Sequence, residues 1–213
     1  MVIIMASAMI HICVAKKVNE ILRMDSTLLS LGAIAPDLSK QVGELKIASH
    51  FLDDNKEDSY PNIDRFLKKY RSELNKPYEM GYLIHLLTDK YWFRDYVYEY
   101  IKNYKATKDK NAELSYTALK NLIYQDYTNL NRDLIDEYNV DLYLFSNEFQ
   151  YPKSKITEID CTKLPIIVEK MGLIIKESQK NKYPFIFDLS DIKIFIEECS
   201  NQIIKDLSNY NII

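Results

Sequence analysis

The sequence predicts an all-α protein, a bundle of six or seven helices in one domain that spans residues 1–213. Glycine and proline are scarce, at 4 and 6 of 213 residues, whereas folds with many strands joined by tight turns need more of both. Apolar residues recur at helical spacing over long stretches of the chain. Only residues 143–145 and 185–187 form short runs that a β-strand can use.

The first helices follow from apolar spacing and from the residues that end helices. The spacing predicts a first helix over residues 7–23. Residues 26–31 add a turn of helix. Gly32 and Pro36 then interrupt the pattern, which predicts a tight connection up to Asp37.

The remaining helices are predicted from the same spacing. A charged loop at residues 53–59 precedes Pro61, which stands where a helix favours its first residue. Further helical patterns cover residues 77–104, 112–138, 164–180 and 190–209, with a break at residues 183–185. The chemical motifs described below lie in residues 1–105, and we expect residues 106–213 to complete the bundle.

Composition excludes several classes of protein. Hydrophobic residues make up 47% of the chain and charged residues 28%, as in ordinary globular proteins and unlike disordered ones. The net charge of −3 provides no basic field for nucleic acid. The apolar start, residues 1–15, lacks a preceding basic stretch and is shorter than the ~20 residues of a membrane helix. We therefore expect no targeting signal, no stable membrane insertion and no nucleic-acid partner.

The three cysteines predict a reducing environment. Cys13, Cys161 and Cys199 are far apart and form no CxxC pair, which argues against a disulfide framework and a thiolate zinc site. Reduced thiols are typical of cytoplasmic proteins, so we expect a cytoplasmic location. The oligomeric state is left open.

The most informative residues are the three histidines, all in the first half of the chain. His85 and Asp89 are four residues apart, which places both side chains on one face of a helix. An imidazole and a carboxylate there can hold a divalent ion such as zinc. The alternative is a histidine hydrogen-bonded to its i+4 carboxylate. Because the flanking residues are apolar, burying this pair is costly unless a cation compensates it.

Three further residues have an ordinary interpretation when each is taken alone. Asp37 follows Pro36 and suits a helix N-cap. His50 precedes the charged loop and suits a surface or capping position. His11 lies on an apolar helix, where a histidine is usually a hydrogen-bonded core residue.

Taken together, these residues and their neighbours resemble a known family. The segments LGAIAPD (31–37), SHF (49–51) and GYLIHLLTD (81–89) follow a histidine in the N-terminal helix. This order is similar to that of the zinc-dependent phospholipase C-like family. Its members are all-helical metallohydrolases related to bacterial phosphatidylcholine-hydrolysing phospholipase C and clostridial alpha-toxin, so the resemblance implies a phospholipase C/nuclease-like fold. It covers about the first hundred residues.

The resemblance implies a role for each of five residues. His50, His85 and Asp89 would be ligands of one zinc ion, and His11 would be a ligand of a further zinc. Asp37 would be a further potential metal ligand and corresponds to the family aspartate beside the metals, which is proposed to activate the attacking water.

The chain departs from the family pattern in its second half. The family enzymes carry further histidines and a glutamate downstream, whereas this chain has no histidine after His85. If a second ion binds, acidic residues such as Asp126 or Asp133 would have to help hold it; the alternative is that both are solvated charges on a helix.

These observations favour a metal-dependent phosphoric-ester hydrolase with one or two zinc ions, or with manganese or iron. Its substrate would be a phosphoester, either a lipid or a small molecule. The main alternative is an inactive or structural helical metal-binding protein. A nucleotide-cleaving HD-type phosphohydrolase ranks lower because the sequence has no adjacent His-Asp pair. A lipid-associated protein remains open because Tyr91, Trp92 and Phe93 can form an interfacial surface, although aromatic residues at helical spacing more often pack in a core.

Overall fold

The computed structural model describes residues 6–53, 60–107, 115–146, 149–178 and 185–213. It confirms the all-α prediction. Among the described residues, no strand forms, and the only β-type pairing is an isolated antiparallel bridge between Leu52 and Pro61. The α-helices are α1 Ala8–Leu22, α2 Ser26–Ile34, α3 Leu38–Gln41, α4 Lys46–Ser49, α5 Ile63–Tyr70, α6 Pro77–Tyr91, α7 Val97–Thr107, α8 Tyr116–Glu137, α9 Tyr143–Ser146, α10 Leu164–Glu177 and α11 Leu189–Asn209.

The first helix begins and ends close to its predicted bounds. The hydroxyl of Ser7 accepts a hydrogen bond from the Ile10 N–H and caps the helix. Arg23 adopts a left-handed conformation with φ of 54° and ends it. The first half of α1, from Met9 to Ala15, is buried on all sides, with α2, α6, α8 and α11 packed around the helix.

The packing of α2 against α6 corrects the predicted role of Gly32. Helix α2 continues through Gly32 to Ile34 instead of ending before it, and Pro36 lies in a short 3₁₀ turn, Ala35–Asp37. A Cβ on Gly32 would lie 2.0 Å from the Tyr78 carbonyl oxygen, and one on Gly81 would lie 2.1 Å from the Leu29 carbonyl oxygen. The two glycines therefore allow the two helix backbones to touch, a requirement set by the partner helix and not by a turn.

Helix α5 begins two residues later than Pro61 suggests. Asn62 caps it by accepting a hydrogen bond from the Arg65 N–H, and Pro61 pairs with Leu52 in the isolated bridge. A proline that lacks an N–H suits this edge position as well as it suits the first turn of a helix. Residues 54–59 of the predicted charged loop lie outside the described residues.

The long predicted helix from Pro77 is interrupted by a single π-helical segment. Helix α6 passes into Trp92–Tyr96, a π-turn, and then into α7. Counted as one helix, this unit leaves seven longer helices in the described chain, as the sequence predicts. Trp92 is fully buried against Phe187 and Phe195, which confirms the core interpretation for this residue, and Tyr91 is also buried, whereas Phe93 is partly exposed.

The second half of the chain packs onto the first. Residues 143–145, which could have formed a strand, belong to the short helix α9, and residues 185–187 are irregular. Of the predicted break at residues 183–185, only Phe185 lies within the described residues. A continuous apolar core joins side chains from α1, α6, α8, α10 and α11.

Two further findings concern the surface and the thiols. Within the described ranges, none of the helices combines the length and apolar character that a membrane crossing requires. The three cysteines all lie in those ranges and are free, with Cys13 and Cys199 buried.

Candidate metal centre

Five side chains from four parts of the chain meet at the centre of the bundle. His11 comes from α1 and Asp37 from the 3₁₀ turn after α2. His50 directly follows α4, and His85 and Asp89 lie one turn apart on α6. These are the five site residues predicted from the sequence.

The spacing around His85 matches the requirements of a tetrahedral ion. The Nε2 atom of His85 lies 3.2 Å from Nε2 of His50 and 3.2 Å from Oδ2 of Asp89. The His50 Nε2 and Asp89 Oδ2 atoms are 3.6 Å apart. Bonds of 2.0–2.1 Å to a tetrahedral zinc place its ligand atoms about 3.3 Å apart. The three donor atoms therefore have the separations that one zinc ion needs.

His11 and Asp37 extend the cluster on two sides. The Nε2 atom of His11 lies 3.3 Å from Asp89 Oδ1, and Asp37 Oδ1 lies 3.6 Å from Nε2 of His50. Two groups, His11–His85–Asp89 and Asp37–His50–His85, each bring three donor atoms within 4.8 Å of one another. Because they share His85, the five residues form one cluster.

Hydrogen bonds behind the cluster orient two of its imidazoles. The Nδ1–H of His85 donates to the Ala33 carbonyl oxygen at 2.7 Å, and Nδ1 of His50 lies 2.9 Å from the Ser49 hydroxyl. In both rings Nε2 consequently faces the cluster. Metal-binding histidines commonly use the second nitrogen in this way, because the bond fixes the tautomer and the ring orientation.

The backbone around His50 is also fixed. The Tyr82 hydroxyl on α6 donates to the Ser49 carbonyl oxygen at 2.5 Å. Phe51 follows with a left-handed φ of 53°, an uncommon conformation for a bulky residue, and its ring packs on Phe66. These contacts direct His50 inwards, although it stands at the end of a short surface helix.

Several buried atoms of the cluster make no well-aligned hydrogen bond to a described residue. These atoms are both ring nitrogens of His11 and Oδ2 of Asp89. Their closest contacts are ion-pair distances of 3.3 Å from His11 Nε2 to Asp89 Oδ1 and 3.2 Å from Asp89 Oδ2 to His85 Nε2. His11, His50 and His85 are fully buried, and Asp89 is 1% exposed. Buried polar atoms are nearly always satisfied, so this cluster has the donor chemistry and the need for a cation. Imidazole nitrogen and carboxylate oxygen suit zinc, and the residues present fit the ion.

Burial and the neighbouring carboxylates shift the pKa values of the three histidines in different directions. Burial lowers the pKa of His50 to about 4 and also lowers that of His11. Burial alone would lower the pKa of His85 too, but the carboxylates of Asp89 and Asp37 outweigh it and raise it.

The two carboxylates remain charged. Burial opposes their ionisation, but Lys46 and His50 hold the pKa of Asp37 below its usual range. His11 and His85 have the same effect on Asp89. The two carboxylates thus have the Lys46 ammonium group 3.7 Å from Asp37, and they favour the charged form of His85.

The ordinary interpretations of the single residues do not describe these contacts. Asp37 stands at the N-cap of α3, but its side chain makes no capping hydrogen bond in the described part of the chain. His50 is fully buried and so is not a surface residue, and His11 is a core histidine without the hydrogen bonds that such a residue normally has.

A cavity of about 160 Å³ adjoins the cluster at Asp37. Asp37 is 15% exposed and is the one cluster residue that lines this space, which we call the Asp37 cavity. The start of α1, the α3–α4 region and one face each of α8 and α10 form its walls. A structural zinc site is closed, whereas a catalytic one keeps an open position, and the cavity gives this cluster an open side.

Sequence reasoning missed the other polar residues of the cavity. The ammonium group of Lys46 lies 3.7 Å from Asp37 Oδ1. Tyr124, Tyr127, Thr128 and Asn131 line the cavity from a single face of α8. Their i, i+3, i+4, i+7 spacing signals a common face, but nothing local in the sequence indicates that this face meets Asp37.

The two acidic residues suggested for a second ion are not part of the cluster. The Asp126 carboxylate accepts hydrogen bonds from the backbone N–H groups of Phe185, Ile186 and Phe187 at 2.7, 2.7 and 3.0 Å. Among the described residues, neither Asp126 nor Asp133 belongs to a group of possible ligands. Asp126 anchors a loop, which corrects the suggestion that it holds a metal.

Comparison of the chain with models of known protein families, with curated proteins and with solved structures returns no match.

Proposed function

We propose that this protein is a metal-dependent phosphoric-ester hydrolase with a phospholipase C-like metal site. The observation that carries the proposal is the meeting of three imidazoles and two carboxylates beside a cavity that one of the carboxylates lines. The site would hold one or two divalent ions, with zinc the best match to its donors and manganese or iron as alternatives. The free cysteines agree with a cytoplasmic location, which forms part of the proposal.

His50, His85 and Asp89 would hold the first ion, because their donor atoms have the closest mutual spacing. His11 would be a ligand of a second ion or an additional ligand of the first. A bound divalent ion lowers the pKa of a coordinated water and offsets charge on phosphoryl oxygens.

Asp37 would serve as the general base. It lies at the boundary between the cluster and the cavity, so a water in the cavity would be within its reach. As the water oxygen bonds to phosphorus, Asp37 accepts the water proton. The bond from phosphorus to the ester oxygen breaks, and the leaving oxygen takes up a proton from solvent water.

A second candidate function is a structural metal site without activity. The observation in its favour is the burial of four of the five residues, each at most 1% exposed, because a closed site suits a structural ion. The open side at Asp37 favours the hydrolase.

Metal analysis combined with a substrate screen distinguishes the two functions. We expect protein purified without added metal to contain one or two ions per chain. We also expect it to hydrolyse p-nitrophenyl phosphate or bis(p-nitrophenyl) phosphate. One bound ion with no turnover of either ester would support the structural alternative, and absence of metal would remove the basis of both.

Replacement of the general base tests the role of Asp37. We expect Asp37→Asn to lower kcat by about 10²- to 10⁴-fold, because the amide cannot accept the proton. Asp64→Asn is the matched control, since Asp64 is an exposed carboxylate on α5. Equal turnover by Asp37→Asn and the control would show that Asp37 is not the base.

A further inference from the structure

The Asp37 cavity combines a charged end with an apolar wall. Lys46 lies at the charged end, where its ammonium group faces Asp37 at 3.7 Å. Lys40 lines the same end, and its ammonium group donates to the Tyr124 hydroxyl at 3.2 Å. Such a pair of ammonium groups beside a candidate metal centre is complementary to an anion.

A third polar group beside the cavity has no acceptor for its proton. Tyr127 lines the cavity, and its buried hydroxyl interacts with the Trp92 indole N–H but donates no hydrogen bond to any described residue. Its ring is held between Trp92 and Phe187, with centroid distances of 6.0 and 6.3 Å. Burial raises the pKa of Tyr127 well above its ordinary value, so the hydroxyl keeps its proton and can donate it. Unsatisfied buried hydroxyls are costly, and a ligand oxygen would relieve that cost.

Another part of the cavity wall is apolar. It is formed by Met9 and Ile12 of α1, Phe145 of α9, and Ile167, Met171 and Ile175 of α10. The cavity volume is about 160 Å³. An apolar cavity of about 150 Å³ accommodates one benzene ring, so there is room for one compact group.

We infer that the Asp37 cavity is the substrate pocket and that it selects a phosphoester with a single compact apolar group. The phosphoryl oxygens contact Lys46 and the Tyr127 hydroxyl, and the organic group packs on the wall that includes Met171. The inference rests on the proposed function and adds two features to it: the substrate class, and three residues outside the metal cluster that recognise the substrate.

Binding of phosphonates tests the pocket without depending on turnover, because their carbon–phosphorus bond is not hydrolysed as an ester. We expect the metal-loaded protein to bind phenylphosphonate at least about tenfold more tightly than methylphosphonate in calorimetric titrations, because the ring buries several more carbon atoms. Equal affinity for the two compounds, or no binding of either, would overturn the inference.

Variants separate the charged end from the apolar wall. Lys46→Met should weaken both phosphonates by about tenfold and leave their affinity ratio unchanged, and Tyr127→Phe should weaken both by about fivefold. Met171→Gln should reduce the ratio to about threefold or less. The controls are Lys205→Met, an exposed lysine on α11, and Leu173→Gln, which replaces the 53%-exposed neighbour of Met171 outside the cavity.

The outcomes distinguish this inference from the proposed function. Lys46→Met or Tyr127→Phe affinities equal to those of the wild type, or a Met171→Gln ratio equal to that of Leu173→Gln, would contradict the assigned contacts. Turnover of phosphoesters without a preference for phenylphosphonate would overturn the pocket and leave the hydrolase standing. The predicted phosphonate pattern with no turnover of any ester would support the pocket as a binding site and overturn the hydrolase.

Discussion

His85 is the residue on which the geometry of the site depends most. Its Nε2 atom is 3.2 Å from both His50 Nε2 and Asp89 Oδ2, and its ring stacks on that of His11 at 3.8 Å between centroids. The bond from its Nδ1–H to the Ala33 carbonyl oxygen fixes the ring in this position. Removal of this imidazole would leave Asp37 and Asp89 as buried carboxylates with fewer neighbours to compensate them.

We therefore expect His85→Ala to abolish metal binding and to lower the melting temperature. At an ion concentration one hundred times its Kd, the wild type should gain about 2.7 kcal/mol of stability from the ion, and the variant none. The measurements are metal content by mass spectrometry and melting curves with and without zinc. Thr88→Val is the control, because Thr88 is buried on the same helix and its hydroxyl donates to the Ile84 carbonyl oxygen instead of to a cluster residue. Unchanged metal content in His85→Ala would contradict the ligand assignment.

At the scale of elements, the contact between α2 and α6 brings Asp37 close to His85 and Asp89. Helix α6 carries His85 and Asp89, and α2 leads directly into the turn that carries Asp37. The backbones can touch only because Gly32 and Gly81 face each other's helices without a Cβ. The separation of Asp37 from the ligands on α6 thus depends on two residues that have no chemistry of their own.

We expect Gly81→Ala to destabilise the protein by about 3 kcal/mol and to weaken metal binding, since its Cβ would lie 2.1 Å from a backbone oxygen. Gly172→Ala is a matched control in the middle of α10, where the nearest atom to a new Cβ is 3.6 Å away. It should stabilise the protein by about 0.5–1 kcal/mol, because alanine favours a helix. Urea denaturation measures both effects. A Gly81→Ala variant as stable as Gly172→Ala would show that the close approach is not needed.

Helix α8 has a structural role beside its face on the cavity. We expect Asp126→Asn to lower the free energy of unfolding by about 2–3 kcal/mol, because an amide cannot accept all three hydrogen bonds from the loop at residues 185–187. Asp133→Asn is the control, as Asp133 is a partly exposed residue of the same helix. Both variants should keep the metal content of the wild type. Loss of an ion in Asp126→Asn alone would return this residue to the ligand set.

At the scale of the whole molecule, the buried histidines link stability to pH. Burial lowers the pKa of His50 from 6.5 to about 4 and lowers that of His11. Between these pH values the unfolded metal-free chain binds more protons than the folded one, so stability falls as the pH falls from 6.5 to 4. His85 has the opposite effect at higher pH, because its pKa is raised in the folded chain. Its contribution to the free energy of unfolding is complete below pH 6.5 and is lost as the pH rises through the folded-state pKa.

We expect each neutral histidine to contribute a slope of up to about 1.4 kcal/mol per pH unit in that window. Denaturation of the metal-free protein at several pH values measures the slope, and His50→Asn should reduce it. A free energy of unfolding that is constant from pH 6.5 to 4 would contradict the assigned protonation states.

The sequence predicts the helices well because each leaves a local pattern. The bounds of α1, α8, α10 and α11 follow from apolar spacing and caps, and the His85–Asp89 spacing identifies one face of α6. Gly32 was assigned to a turn because its true partner, Gly81, lies 49 positions away in the chain. The π-helical segment after α6 likewise depends on packing that no local pattern records. The same is true of the start of α5, which lies two residues after Pro61.

The site was only partly predictable for the same reason. His11, Asp37 and His50 were identified from a resemblance in local motifs, and the geometry places them beside His85 and Asp89. Lys46 and Tyr127 were missed because they reach the cavity from elements that meet only in the folded chain. A phosphohydrolase activity remains a proposal, whereas the meeting of the five side chains is a property of the structure.

The most direct test of the shared-cation site is a crystal structure of the zinc-loaded protein with anomalous data on both sides of the zinc absorption edge. We expect an anomalous peak about 2.0–2.2 Å from Nε2 of His50, Nε2 of His85 and a carboxylate oxygen of Asp89. A zinc ion bound elsewhere, or no peak among these three side chains, would contradict it.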